Sequence, residues 1–174
     1  GGANADLWRH DTQGATDQWS IETNTNIPLE SESAENGYML FTPAEYNEPI
    51  FNSGQPWETV SGWLQSPVMD LSALNSVLVD YTIYYRYCCY SPSPIKLGVS
   101  VDEGVSWTYF NAYNYGQFIE IAKNFSETIQ VTTDISSVAA NQSNVMIRFS
   151  YNDPVSTIAE PNYGFYFMGV DDVS

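Results

Sequence analysis

Apolar and polar residues alternate with a period of two along several stretches of this chain, and no stretch sustains a period of 3.6. Val77, Val79, Tyr81, Ile83, Tyr85 and Tyr87 alternate with Leu78, Asp80, Thr82, Tyr84 and Arg86. That pattern predicts a long strand with one mostly apolar face. Val145, Ile147, Phe149 and Tyr151 alternate with Met146, Arg148 and Ser150 in the same way. Residues 165–170 are apolar on both sides, as in the central strand of a sandwich. Shorter strands are predicted at 37–42, 62–66, 95–101, 105–110 and 127–134, and a single helical turn at 138–141. Asp102-Glu103-Gly104 signals a hairpin turn, with Gly104 able to take positive φ. Roughly eight strands with irregular connections predict an all-β fold, a two-sheet antiparallel β-sandwich filling residues 1–174 as one domain. Long loops are expected at 9–36, 43–61, 111–126 and 152–163, where a rigid sandwich usually carries binding.

Charge narrows the partners. The 174 residues hold 21 Asp and Glu against 5 Lys and Arg, a net charge of -16. Nucleic acid and anionic membrane surfaces are therefore poor partners, since both need a basic face. No apolar run approaches the ~20 residues of a membrane span. The chain opens on Gly1-Gly2 without Met or signal peptide and stops inside a predicted strand. It reads as a domain of a longer protein, monomeric in isolation. Aromatic residues reach 15%, and Tyr, Thr, Ser and Asn are plentiful, a mix common in secreted β proteins.

Candidate chemistry is sparse. The lone histidine, His10, makes a Ser-His-Asp or Cys-His system improbable. Glu30, Glu32 and Glu35 read as a solvated acidic loop rather than a glycosidase pair. Asn124 and Asn141 carry the N-glycosylation acceptor pattern. Cys88 and Cys89 are adjacent and are the only cysteines. They allow a vicinal disulfide, a reduced pair or links to another chain, the first being favoured in an oxidising compartment. The stretch 107–118 mixes aromatic rings with Asn and Gln. Rings stack on the flat C–H faces of sugars while amides read the hydroxyls, so Tyr109, Tyr113, Asn114 and Tyr115 are candidate glycan contacts. Tyr84 and Arg86, on the polar face of the long strand, would extend such a platform. The competing reading is that Trp107, Phe110 and Phe118 plug the sandwich ends, and Trp63 is read as core.

The order of the motifs resembles a known family. Gly62-Trp63-Leu64-Gln65-Ser66-Pro67-Val68-Met69-Asp70-Leu71-Ser72 is similar to a W-L-x-S-P-x-[ILM]-D-L-S segment. The long strand follows, then a V-S-x-D-x-G-x-S-W hairpin at Val99 to Trp107, then Asp134-Ile135-Ser136 and Val145 to Phe149. Gly169-Val170-Asp171-Asp172-Val173 closes the series. Together these resemble the MAM-like and cleaved-adhesin-like jelly-roll modules of secreted and surface proteins of bacteria. The resemblance implies a jelly roll that is non-catalytic and extracellular, and that binds glycans or proteins or spaces neighbouring domains. It also implies a structural calcium ion near the ends of the first and last strands. If Met168 and Val170 face the core, Asp172 follows them, and a carboxylate there is costly unless paired or bound to metal. Asp171 and Asp172 are the candidate ligands, with Asp6, Asp11 and Asp17 from the N-terminal segment that the family places nearby. Alternatively, Asp172 pairs with Arg148 or Arg9, or caps a turn. The resulting expectation is a carbohydrate-binding or adhesion module with structural calcium. A ligand-free spacer in a larger adhesin or exported enzyme is the alternative.

Overall fold

The computed structural model describes residues 8–13, 19–22, 29–33, 37–41, 61–86, 95–113, 128–152 and 167–174. Among the described residues ten strands run in chain order as β1 (Arg9–Gln13), β2 (Trp19–Glu22), β3 (Tyr38–Phe41), β4 (Ser61–Gln65) and β5 (Leu78–Arg86). They continue as β6 (Ile95–Ser100), β7 (Thr108–Asn111), β8 (Thr128–Asp134), β9 (Met146–Asn152) and β10 (Phe167–Asp171). Among the described residues one short helix, α1 (Ser136–Ala139), lies between β8 and β9.

The strands form two antiparallel sheets. Sheet A has the order β1-β4-β9-β6-β7, and sheet B the order β2-β3-β10-β5-β8. Among β3 to β10 the pairs β3·β10, β4·β9, β5·β8 and β6·β7 are nested one inside the next. That is one long hairpin wrapped on itself, the wiring of a jelly roll. β1 and β2 extend the two sheets at their edges. Both fall in a stretch expected to be loop. Arg-His-Asp-Thr-Gln carries no apolar alternation, because an edge strand need present only part of one side to the core.

Period-two alternation builds the core between the sheets. Leu64, Ile95, Leu97, Val99, Ile147, Phe149 and Tyr151 face inward from sheet A; Phe41, Val79, Tyr81, Ile83, Met168 and Val170 face them from sheet B. Tyr81 meets Phe149 edge-on at 4.8 Å between ring centres, and Phe41 meets Tyr151 at 5.4 Å. The Tyr81 hydroxyl donates to the Ala112 carbonyl at 2.7 Å and lies 3.2 Å from Thr133 Oγ1. Burial pushes its pKa up to about 12.

The motif segments serve as joints. Ser66 Oγ accepts the Ile147 N–H at 2.9 Å and donates to the Pro67 carbonyl. Asp70 accepts the Ser72 N–H, and Asp134 accepts the Ser136 N–H, each a carboxylate capping a turn two residues on. Both carboxyls are held below the usual range by those hydrogen bonds.

Candidate functional site

The sheet-A surface turned away from the core is where strand pairing gathers chemistry. Paired residues in antiparallel strands point to the same side. One transverse row runs Arg9, Gln65, Arg148, Gly98, Tyr109 across all five strands. The next row runs Asp11, Trp63, Ser150, Lys96, Asn111. Inward neighbours on β4, β6 and β9, such as Leu64, Leu97 and Phe149, are buried, which assigns the members of these rows on β4, β9, β6 and β7 to the outer side.

Within the first row Arg148 is the hub. Its guanidinium carbon lies 4.0 Å from the centre of the Trp107 ring and 5.3 Å from that of Tyr109. One terminal nitrogen donates to the Tyr109 hydroxyl. The Trp107 ring is anchored by its Nε1–H, which donates to the Gly104 carbonyl at 3.0 Å. Gly98 forms the floor. A Cβ there would lie 3.0 Å from Tyr109 Cε1 and 3.1 Å from both Arg148 Cγ and Trp107 Cε3, so glycine is what lets the three side chains lie down on the sheet. Tyr109 keeps 47% of its surface exposed. In the second row, Lys96 Nζ donates to Asn111 Oδ1 at 2.6 Å. The face thus offers aromatic rings ringed by amides, hydroxyls and cationic donors.

The hairpin that carries Trp107 is held by Asp102. Its carboxylate accepts from Ser100 Oγ at 2.7 Å, from Ser106 N–H at 2.9 Å and from Ser106 Oγ at 2.5 Å. These bonds, those of Ser106 foremost, lower its pKa to about 2. Glu103 (φ 57) and Gly104 (φ 88) make the turn, and Gly104 takes the positive φ its sequence predicted.

A second cluster closes β10 on sheet B. Asp171 is 7% exposed and pairs with Thr82. Its Oδ2 accepts from Ser31 Oγ at 2.5 Å and from Ser33 Oγ at 3.1 Å. Asp172 Oδ1 accepts from Ser33 Oγ at 2.6 Å, and its Oδ2 accepts the Glu32 N–H at 2.9 Å. Alternation would send adjacent carboxylates to opposite sides. The left-handed φ of 49 at Asp172 ends the strand, and both carboxylates engage the same loop. Asp172 is accordingly not aimed into the core, and Arg148 stands on the other sheet rather than beside it.

The remaining expected residues divide. Tyr109 occupies the outer face as a platform residue should. Tyr84 does not: it is 5% exposed, packed with Leu29, Tyr38 and Leu40. The segment 29–33 covers that side of sheet B, with Glu30 N–H bonded to Thr128 Oγ1, and so buries a position read as polar. Tyr113 is also no platform residue, being 3% exposed within the main core. Of Arg86 only the backbone place in β5, opposite Phe167, is described. Asp11 pairs with Trp63 in sheet A, the sheet opposite Asp171. Asp6, Asp17, Cys88, Cys89, Asn114 and Tyr115 lie outside the described residues. Trp63, read as core, is instead on the outer face, flanked by buried Gly62 and Leu64. Among the described residues no group of three or more His, Cys, Asp or Glu converges.

Arg148 was named only as a possible partner of Asp172, and Lys96, Gly98 and Gln65 were not singled out by sequence. Their signal was present: three separate alternating strands each carry polar residues on one side, and Lys96 and Arg148 are two of only five cations.

No protein-family model matches the chain, and no curated protein sequence does. Solved structures share its fold. One is the K1 cleaved adhesin domain of Lys-gingipain from Porphyromonas gingivalis W83, 12% identical, with a TM-score of 0.54 over 96% of this chain and 88% of that one. Another is a structure of carbohydrate-binding modules from the β-sandwich superfamily, described as promiscuous in specificity. It is 8% identical, with a TM-score of 0.50 over 97% of this chain and 56% of that one.

Proposed function

We propose that this domain is a non-catalytic carbohydrate-binding module of a secreted or surface protein, and that the outer face of sheet A is its binding surface. The observation that carries this reading is Tyr109, an exposed ring set close over Gly98 and tied by its hydroxyl to Arg148, which itself lies over Trp107. A ring fixed in place stacks on a sugar without losing rotamer freedom on binding, and the adjacent amides and cations supply directional hydrogen bonds. Trp63, one row along and three strands across from Tyr109, offers a second ring roughly 14 Å away, for a sugar further along an extended chain. The fold shared with an adhesin domain and with carbohydrate-binding modules supports the reading.

The test is a glycan array followed by affinity electrophoresis in polysaccharide gels. Tyr109→Ala and Trp63→Ala are expected to abolish retardation, Tyr109→Ala with the thermal midpoint nearly unchanged and Trp63→Ala with a lower midpoint, since that ring is partly buried. Silence of the parent domain across the array would return it to the role of a ligand-free spacer.

Calcium belongs to the same proposal as a structural ion. The donor set at the end of β10 has the right chemistry, two carboxylates and two serine hydroxyls, all hard oxygens. Asp171 and Asp172 would hold the ion, with backbone carbonyls or water completing the 6–8 oxygens that calcium takes. It would tie the segment 29–33 to sheet B more firmly than hydrogen bonds alone.

A further inference from the structure

We infer that the ligand of the sheet-A face is an acidic glycan, whose carboxylate pairs with Arg148 and Lys96; this rests on the glycan-binding reading above. The first observation is where the few cations are. On β4, β9, β6 and β7 the two transverse rows hold Arg148 and Lys96, two of the chain's five Lys and Arg, and none of its 21 Asp and Glu. That part of the face therefore carries +2 on a chain of net charge -16. Cations scattered for solubility would not gather on one side of one sheet.

The second observation is what these cations lack. Acidic residues outnumber basic ones fourfold, yet among the described residues neither Arg148 nor Lys96 makes an ion pair. Arg148 places one terminal-nitrogen donor on a neutral phenol, its Nε–H is buried, and the remaining terminal N–H groups are the ones a ligand can meet. Lys96 places one of its three donors on a neutral amide. Burial lowers the Arg148 pKa, with no carboxylate to oppose it. A half-buried guanidinium with spare donors is matched best by a planar, doubly accepting anion, and a carboxylate is one. Sugar hydroxyls would satisfy the same donors without charge and without the carboxylate's coplanar pair of acceptors.

The chain's negative field sets the conditions for the test. It repels a polyanion at a distance, and ~0.15 M salt confines that repulsion to within about 8 Å. Contact pairing on the sheet survives such screening better than the distant repulsion does.

The experiment is calorimetric binding at that ionic strength to oligosaccharides of polygalacturonate, alginate and hyaluronan, each beside its carboxyl-reduced counterpart. At least one acidic form should bind at least tenfold tighter than its reduced partner. Arg148→Gln should remove that preference, and Arg148→Lys, which keeps the charge and loses the fork, should restore part of it. Lys96→Gln should weaken the acidic form selectively, and it supplies the test if Arg148→Gln unfolds. If acidic and reduced forms bind equally, or if neutral glycans alone bind, the acidic preference is overturned and the glycan platform stands. If no glycan of either kind binds, both readings fail.

Discussion

The guanidinium of Arg148 stacks on the ring of Trp107, joining the central strand of sheet A to the hairpin that follows β6. A cation over an aromatic face at this separation contributes about 0.5–2 kcal/mol. Arg148→Gln and Trp107→Leu should each destabilise the domain, and the double mutant should cost less than the sum of the two. A double-mutant cycle by urea unfolding measures the coupling, expected at about 0.5–2 kcal/mol. A coupling near zero would mean the two side chains are only neighbours.

Gly98→Ala tests the platform from beneath. Its methyl group would press on Tyr109, Trp107 and Arg148 together, so no single rotation relieves it. Overpacking of this kind costs about 1–3 kcal/mol. The expected result is a lower urea midpoint together with weakened glycan binding. Unchanged binding would show that the rings need not lie where Gly98 allows them.

Tyr81 should make the fold sensitive to base. Its pKa is raised from 10.0 to about 12, so the folded state keeps a proton that the unfolded chain releases. Its contribution is therefore present in full below pH 10 and is lost as pH rises towards 12. Two units correspond to about 2–3 kcal/mol. Tyr81→Phe should show a shallower fall in stability over that range than the parent, although it starts about 1 kcal/mol lower for want of the bond to Ala112.

Asp102 should act at the acid end. Folding lowers its pKa from 3.8 to about 2, so its contribution is present above the higher value and is lost as pH falls through the lower. Asp102→Asn should flatten the acid limb of the stability profile between about pH 4 and pH 2, and Ser106→Ala should return the carboxyl towards 3.8 in an NMR titration.

The clamp between β10 and residues 31–33 gives the calcium experiment. Thermal unfolding in calcium should lie above that in chelator, by about 2.7 kcal/mol if the ion is at a hundred times its dissociation constant. Asp172→Ala should erase the difference. Equal midpoints for the parent domain would leave the serine hydrogen bonds as the whole of the clamp.

The strands that pack between neighbours were legible from alternation alone. Residues 78–86, 95–100 and 146–152 emerged within a residue or two, because each must bury every second side chain. β1 and β2 were not: β1 is polar throughout, as an edge strand can be, and β2, though it alternates, is only four residues long. The site was legible only in part for a related reason. Alternation tells which residues share a side of one strand, but not which strands lie side by side. Arg148 and Tyr109 are 39 positions apart, and only the order β9-β6-β7 brings them together over Gly98. Tyr84 was misread because nothing in its own strand reveals that the distant segment 29–33 lies across it.

The nested pairing also bears on how the domain comes into being at the ribosome. β10 lies at the centre of sheet B, hydrogen-bonded to β3 on one side and to β5 on the other. Until Phe167–Asp171 has left the exit tunnel, those two strands have a gap between them, and their inner side chains lack the row that Met168 and Val170 provide. β3 and β5 must therefore wait for Phe167–Asp171 before sheet B can close, a long-range pairing that makes closure slow.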